Sequence, residues 1–91
     1  MTVRAKFFAY FRELFGARER DLEVAAGASV GDALELLCDT PERRREVLAA
    51  GGLKPHIVVM INGVPVGSLQ GLATPLSPGD TLAVFPLVGG G

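Results

Sequence analysis

One amphipathic helix, framed by strand-like blocks, limits this chain to few architectures. Ser29-Val30-Gly31-Asp32 opens it. The Ser29 hydroxyl can accept from the unpaired amides of the first turn, and Asp32, three residues on, can reach back as a capping box. Val30, Ala33, Leu34 and Leu37 then recur at i, i+3, i+4 and i+7, one apolar stripe ending near Asp39. A helix with one stripe covers one face of one sheet. Thr40-Pro41 starts a second helix, with Thr40 as cap and Pro41 at the first position, where a missing amide hydrogen costs nothing. The pattern carries it through Ala50 to a stop at Gly51-Gly52.

The strand blocks flank this helical middle. Val3 to Ala9 alternates, with Val3, Ala5, Phe7 and Ala9 on one face and Arg4, Lys6 and Phe8 on the other. Tyr10 to Gly16 is too short for an independent helix and reads as one turn, with Phe11, Leu14 and Phe15 tucked under the sheet. Arg18 to Ala25 alternates again, with Leu22 and Val24 inward and Asp21 and Glu23 outward, so the two blocks form an antiparallel hairpin. His56 to Ile61 is a continuous apolar run, as in a strand covered on both faces or deep in the sheet. Asn62-Gly63 reverses the chain, and Val64-Pro65-Val66 supplies only a short edge strand, because Pro65 cannot donate to a ladder. Gly67 to Thr74 is loop, Ser77-Pro78-Gly79-Asp80 a tight turn of type II, and Thr81 to Phe85 the last strand, ended by Pro86.

The order is strand, strand, helix, short helix, strand, short strand, strand. Connection rules then place the last strand beside and parallel to the first, in the middle of the sheet. The expected fold is α+β, a ubiquitin-like β-grasp: a mixed sheet of four to five strands on one main helix, with a second short helix. Residues 1–86 form that domain and residues 87–91 a tail, Leu87-Val88-Gly89-Gly90-Gly91.

The tail carries the functional signal. A glycine-rich end contributes no packing, but it is a thin strip of backbone able to thread a narrow channel, tipped by the α-carboxylate of Gly91. Extended, Leu87 to Gly91 covers about 17 Å at about 3.3–3.6 Å per residue. A carboxylate resists nucleophiles until it is activated, most simply as an acyl-adenylate, and nothing in this chain looks built to bind ATP. The other reading is a frayed terminus or leftover linker.

Composition sets the limits. Of 91 residues, 48% are hydrophobic, enough for one small domain with a real core. A net charge of −1 argues against a general nucleic-acid binder. One cysteine, Cys38, makes no internal disulfide, which suits a reducing cytosol; Met1 to Lys6 lacks a signal-peptide pattern; and no apolar run approaches the roughly 20 residues that span a bilayer. The expected location is the cytoplasm.

The residues resemble the small sulfur-carrier proteins of the MoaD/ThiS family, most closely the small subunit of molybdopterin synthase, the MoaD type. The resemblance covers nearly the whole chain. It is carried by Phe8-Ala9-Tyr10-Phe11-Arg12-Glu13-Leu14-Phe15-Gly16, Asn62-Gly63, Pro75 to Asp80 leading into Leu82-Ala83-Val84-Phe85-Pro86, and the terminal diglycine. It implies a carrier without catalytic machinery or bound cofactor. A ubiquitin-activating-type enzyme (MoeB/ThiF type) uses ATP to adenylate the C-terminal glycine, here Gly91 with Gly90 as its diglycine partner. A sulfur donor protein then makes the thiocarboxylate, which passes sulfur to the dithiolene of molybdopterin inside a large subunit (MoaE type). Where the family tail often reads Pro-Pro-Val-Ser-Gly-Gly, this chain has Leu87 for the second proline and Gly89 for the serine. That bears on the recipient: thiamine-pathway carriers, cysteine-pathway carriers and archaeal-type protein modifiers share the fold and the diglycine.

Other candidates have plainer readings. Cys38 is expected as a buried structural thiol. His56, the only histidine, has no partners for a metal site. Arg43-Arg44-Arg45, flanked by Glu42 and Glu46, reads as a solvated helix face. Phe8, Phe85 and exposed members of the two apolar strands could form a docking patch continuing into Leu87, Val88, Gly89 and Gly90, unless helix coverage buries them. A non-covalent β-grasp interaction module with an incidental tail is the competing class.

Overall fold

The computed structural model describes residues 1–50 and 52–87. Strand β1 (Thr2–Phe7) leads into α1 (Phe11–Phe15), then β2 (Glu19–Glu23), α2 (Val30–Leu37) and α3 (Pro41–Val47). A two-residue ribbon follows, β3 (Leu48–Ala49) with β4 (Gly52–Leu53), and then β5 (Ile57–Ile61), β6 (Val64–Pro65) and β7 (Thr81–Pro86). The main sheet runs β2-β1-β7-β5-β6. β7 lies parallel to β1, with Ala5 beside Leu82 and Phe7 beside Val84, and antiparallel to β5, with Val59 beside Val84. This is the expected β-grasp, with the last strand central.

The capping box forms as read: the Ser29 hydroxyl accepts from the Asp32 amide at 3.2 Å, and Asp32 accepts from the Ser29 amide at 2.9 Å. Val30, Ala33, Leu34 and Leu37 are buried against Val3, Ala5, Phe7, Leu82 and Val84. Thr40 caps α3 through the Arg43 amide, with Pro41 in the first turn.

Four expectations change. β1 stops at Phe7, and Ala9, expected inward, is exposed with φ 54° because the chain must turn into α1 there. α3 ends at Val47 rather than Ala50: Lys54 N–H donates to the Val47 carbonyl at 3.0 Å, so the chain folds back as the β3–β4 ribbon. Of the two readings of β5, deep in the sheet holds, since it lies between β7 and β6, and covered on both faces does not: Ile57, Val59 and Ile61 are buried while Val58 and Met60 stay partly exposed. β7 runs one residue past Phe85, with Pro86 as its last residue paired with Ile57, a position that asks nothing of an N–H.

Asn62-Gly63 takes positive φ at both residues, 49° and 84°, the geometry that makes a two-residue hairpin follow the sheet twist. Asn62 also ties this turn to the next one, donating to Asp80 at 3.0 Å and accepting from the Thr81 amide at 2.9 Å.

Candidate functional site

The site begins where β7 ends. Pro86 is held by Ile57, and Leu87 N–H donates to the His56 carbonyl at 2.7 Å. Leu87 itself is 61% exposed. The chain is therefore gripped on both sides as far as Val84 and by β5 alone from Phe85 to Leu87. Val88, Gly89, Gly90 and Gly91, the rest of the expected tail site, lie outside the described residues.

Beside this exit is a sheet face that no helix covers. α2 packs on the opposite face, so the coverage that would have buried the apolar patch does not occur. The register sets Val58 beside Phe85 and Met60 beside Ala83, with Pro65 next to Met60. All four strand positions on β5 and β7 are partly exposed. Phe8, 38% exposed, meets Phe85 edge-to-face at 5.8 Å between centroids. The expected pair Phe8 and Phe85 is thus brought together, at the root of the tail. The far half of the same face is charged: Arg4 pairs with Asp21 at 3.1 Å and Glu19 at 3.4 Å.

Phe8 owes its position to the segment around it. Phe7 is fully buried and stacks on Phe15 at 4.4 Å with 8° between planes, and Phe11 N–H donates to the Phe8 carbonyl at 3.1 Å. Gly16 closes α1 in the left-handed region at φ 71°, where a Cβ would be strained. Two arginines complete the support. Arg12 donates from Nε to the Phe7 carbonyl at 3.1 Å and lays its guanidinium 5.6 Å from the Phe8 ring centroid. Arg43 donates from Nε to the Leu14 carbonyl at 3.0 Å, pairs with Asp39 at 2.7 Å, and stands over Phe15 at 5.5 Å.

Arg43 corrects the solvated-face reading, for its side chain is only 21% exposed. Its acceptor lies 29 residues away, and no local pattern announces that. The sign that could have found Arg12 is its i, i+4 spacing from Phe8 across a turn.

The remaining candidates are structural. Cys38 is buried, and burial pushes its thiol up to about 11, which leaves it protonated and unreactive near neutral pH. His56 contributes its backbone carbonyl to the tail exit. Among the described residues no three His, Cys, Asp or Glu side chains gather as a metal site, and no helix is long and apolar enough to cross a membrane.

Comparison with known proteins gives a consistent picture. The ThiS family model matches residues 5–91. Small archaeal modifier protein 3 of Haloferax volcanii is 39% identical, with 100% of both chains covered. The crystal structure of small archaeal modifier protein 1 from the same organism superposes at TM-score 0.83, with 34% identity and all of both chains covered. A candidate molybdopterin converting factor, subunit 1, from Pyrococcus furiosus superposes at TM-score 0.78, with 31% identity over 97% of this chain and 98% of that one. The modifiers thus match at higher identity than the molybdopterin factor.

Proposed function

Because the chain belongs to the ThiS family of ubiquitin-like sulfur carriers and modifiers, we propose that its working group is the Gly91 carboxylate, activated by a partner and passed on covalently. An adenylating enzyme of the ubiquitin-activating type uses ATP to join that carboxylate to AMP with release of pyrophosphate, and sulfide-level sulfur supplied by a donor protein then attacks the acyl carbon, expelling AMP and leaving the thiocarboxylate. The proposed acceptor is the molybdopterin precursor, held by a large synthase subunit. The Pyrococcus furiosus relative favours this acceptor.

The observation that carries the reading is the tail exit. β7 is the central strand, gripped by β1 and β5, and Leu87 is tied to His56 next to the open Phe8–Phe85 patch. A partner that docks on this face receives the tail from a fixed point in a fixed direction. Orientation of this kind is what turns an encounter into a productive one. The sulfur gained is more polarisable and less tightly hydrated than oxygen, hence the better nucleophile. Held on a protein, it does not diffuse away as sulfide would.

A second acceptor has its own support. Two small archaeal modifier proteins match at 39% and 38% identity, which favours lysine amines of other proteins as targets of the same activated glycine. Both acceptors need the same first step, so intact mass after incubation with the adenylating enzyme, ATP and a sulfur source tests the shared core. Exchange of one oxygen for one sulfur at Gly91 is expected, and its loss on deleting Gly91 from a chain that stays folded. An unchanged mass with an enzyme competent on its own carrier would defeat the reading.

A further inference from the structure

Among the described residues three of the nine Lys and Arg side chains are ion-paired, and three of the other six gather in one place. Arg4 is met by Asp21 and Glu19, Arg43 by Asp39, and Arg44 by Glu35. Lys6, Arg12 and Arg18, by contrast, have no side-chain carboxylate within 4 Å among the described residues. These three come from different elements: Lys6 from β1, Arg12 from α1 and Arg18 from the turn before β2. Together they line one cleft of about 410 Å³ with Phe7, Phe8 and Glu19. Glu19 is turned toward Arg4 at 3.4 Å.

We propose that this notch receives an acidic segment, a run of Asp or Glu side chains, on the protein that docks against the Phe8–Phe85 patch. The inference rests on the carrier reading above, for it names the chemistry of the surface that reads the same face. Three cations share the cleft with one carboxylate, Glu19, which is the cross-strand neighbour of Lys6 and is also paired with Arg4, so positive charge is in excess there and a partner's carboxylates would match it. Phe8 belongs to both surfaces, lining the notch and touching Phe85, so an apolar contact and an acidic one sit side by side. Arg12 couples them: its Nε is committed to the Phe7 carbonyl, which fixes the guanidinium over Phe8. Peptide carboxylates suit the notch better than nucleic acid, because the whole chain carries −1 and a polyphosphate needs an extended basic surface. The notch steers the encounter and fixes its register, which is how surface charge acts at interfaces.

Arg18→Glu carries the test. Its side chain is exposed, and only its backbone carbonyl, which accepts from Phe7 N–H at 2.9 Å, serves the fold. Arg45→Glu, on the exposed side of α3, changes net charge by the same amount away from the notch. Association with the organism's own adenylating enzyme should slow about tenfold for Arg18→Glu at low salt, hardly at all for Arg45→Glu, and the gap should close at about 0.3 M salt. Equal rates for the two variants would overturn the notch while leaving the carrier reading intact. Failure of the wild-type chain to be adenylated would count against the carrier reading instead. A titration independent of the enzyme decides the notch in that case. An N-acetylated hexaglutamate peptide should shift the amides of Lys6, Arg12 and Arg18, and Arg18→Glu should abolish the response. No shift, or an equal response to inorganic phosphate, would overturn the assignment.

Discussion

Three consecutive arginines in α3 should behave as three different residues. Arg43→Ala removes the hydrogen bond from Nε to the half-buried Leu14 carbonyl, about 1 kcal/mol. It also removes a guanidinium 5.5 Å from the Phe15 centroid, about 0.5–1 kcal/mol for a partly desolvated cation on a ring. The ion pair with exposed Asp39 adds little, because solvent screens it. The sum is about 1.5–2 kcal/mol. With a urea slope of about 1 kcal/mol per molar for a domain this small, the unfolding midpoint should fall by about 1.5–2 M. Arg44 pairs with Glu35 across the surface, both side chains about half exposed, and should give a small change; Arg45 should give none measurable. Urea denaturation of the three alanine variants, followed by circular dichroism, reads all three. Should Arg43→Ala match Arg45→Ala to within error, the Leu14 and Phe15 contacts contribute nothing and the argument for α3 as a brace behind Phe7 fails.

Acidification tests the surface pair that ties α3 to α2. The Arg44 hydrogen bond lowers the Glu35 carboxyl below its ordinary value of 4.5, so its contribution is full above that pH and is lost as pH falls through the depressed folded value. The melting-temperature gap between wild type and Glu35→Gln should therefore be present at pH 7 and close in strong acid; a gap that widens on acidification would contradict the sign. Cys38, buried with its thiol pushed up to about 11, should resist iodoacetamide at pH 8 until urea unfolds the chain. Labelling that precedes unfolding would show local opening at the end of α2. Phe8→Asp should cost about 1–2 kcal/mol, for the lost contacts with Phe85 and Arg12, and keep the fold, yet reduce adenylation at least tenfold; full activity would remove the open face from the docking argument.

Most of the fold could be read locally because its causes are local. The capping box is four contiguous residues, the α2 stripe is one periodicity, and the Asn62-Gly63 turn is a dipeptide whose φ values follow from its chemistry. The misses arise where distant groups decide. Leu48-Ala49-Ala50 has good helix propensity, but the Lys54 amide takes the Val47 carbonyl and draws the chain into a ribbon. Arg43 looks solvated among its sequence neighbours, while its acceptor sits on α1. Alternation through Ala9 suggested a longer strand, whereas burying Phe11 beneath the sheet requires the turn at that residue. The tail offers only composition to read, since glycine tells what a backbone permits and not where it goes, and residues 88–91 lie outside the described residues. The open face was undecidable from β5 alone, because a continuous apolar run does not reveal which alternate residues a helix covers.

The bond from Leu87 to His56 also works as a ruler. In the carrier reading proposed above, residues 88–91 reach at most about 14 Å beyond that anchor when fully extended. On that reading, a partner seated on the Phe8–Phe85 face has to keep its reactive atoms within that depth of the contact plane. Enzymes with deeper cavities are excluded by distance alone, before any side chain of theirs is recognised. Adding one glycine after Leu87 would lengthen the ruler by about 3.5 Å and re-sort them.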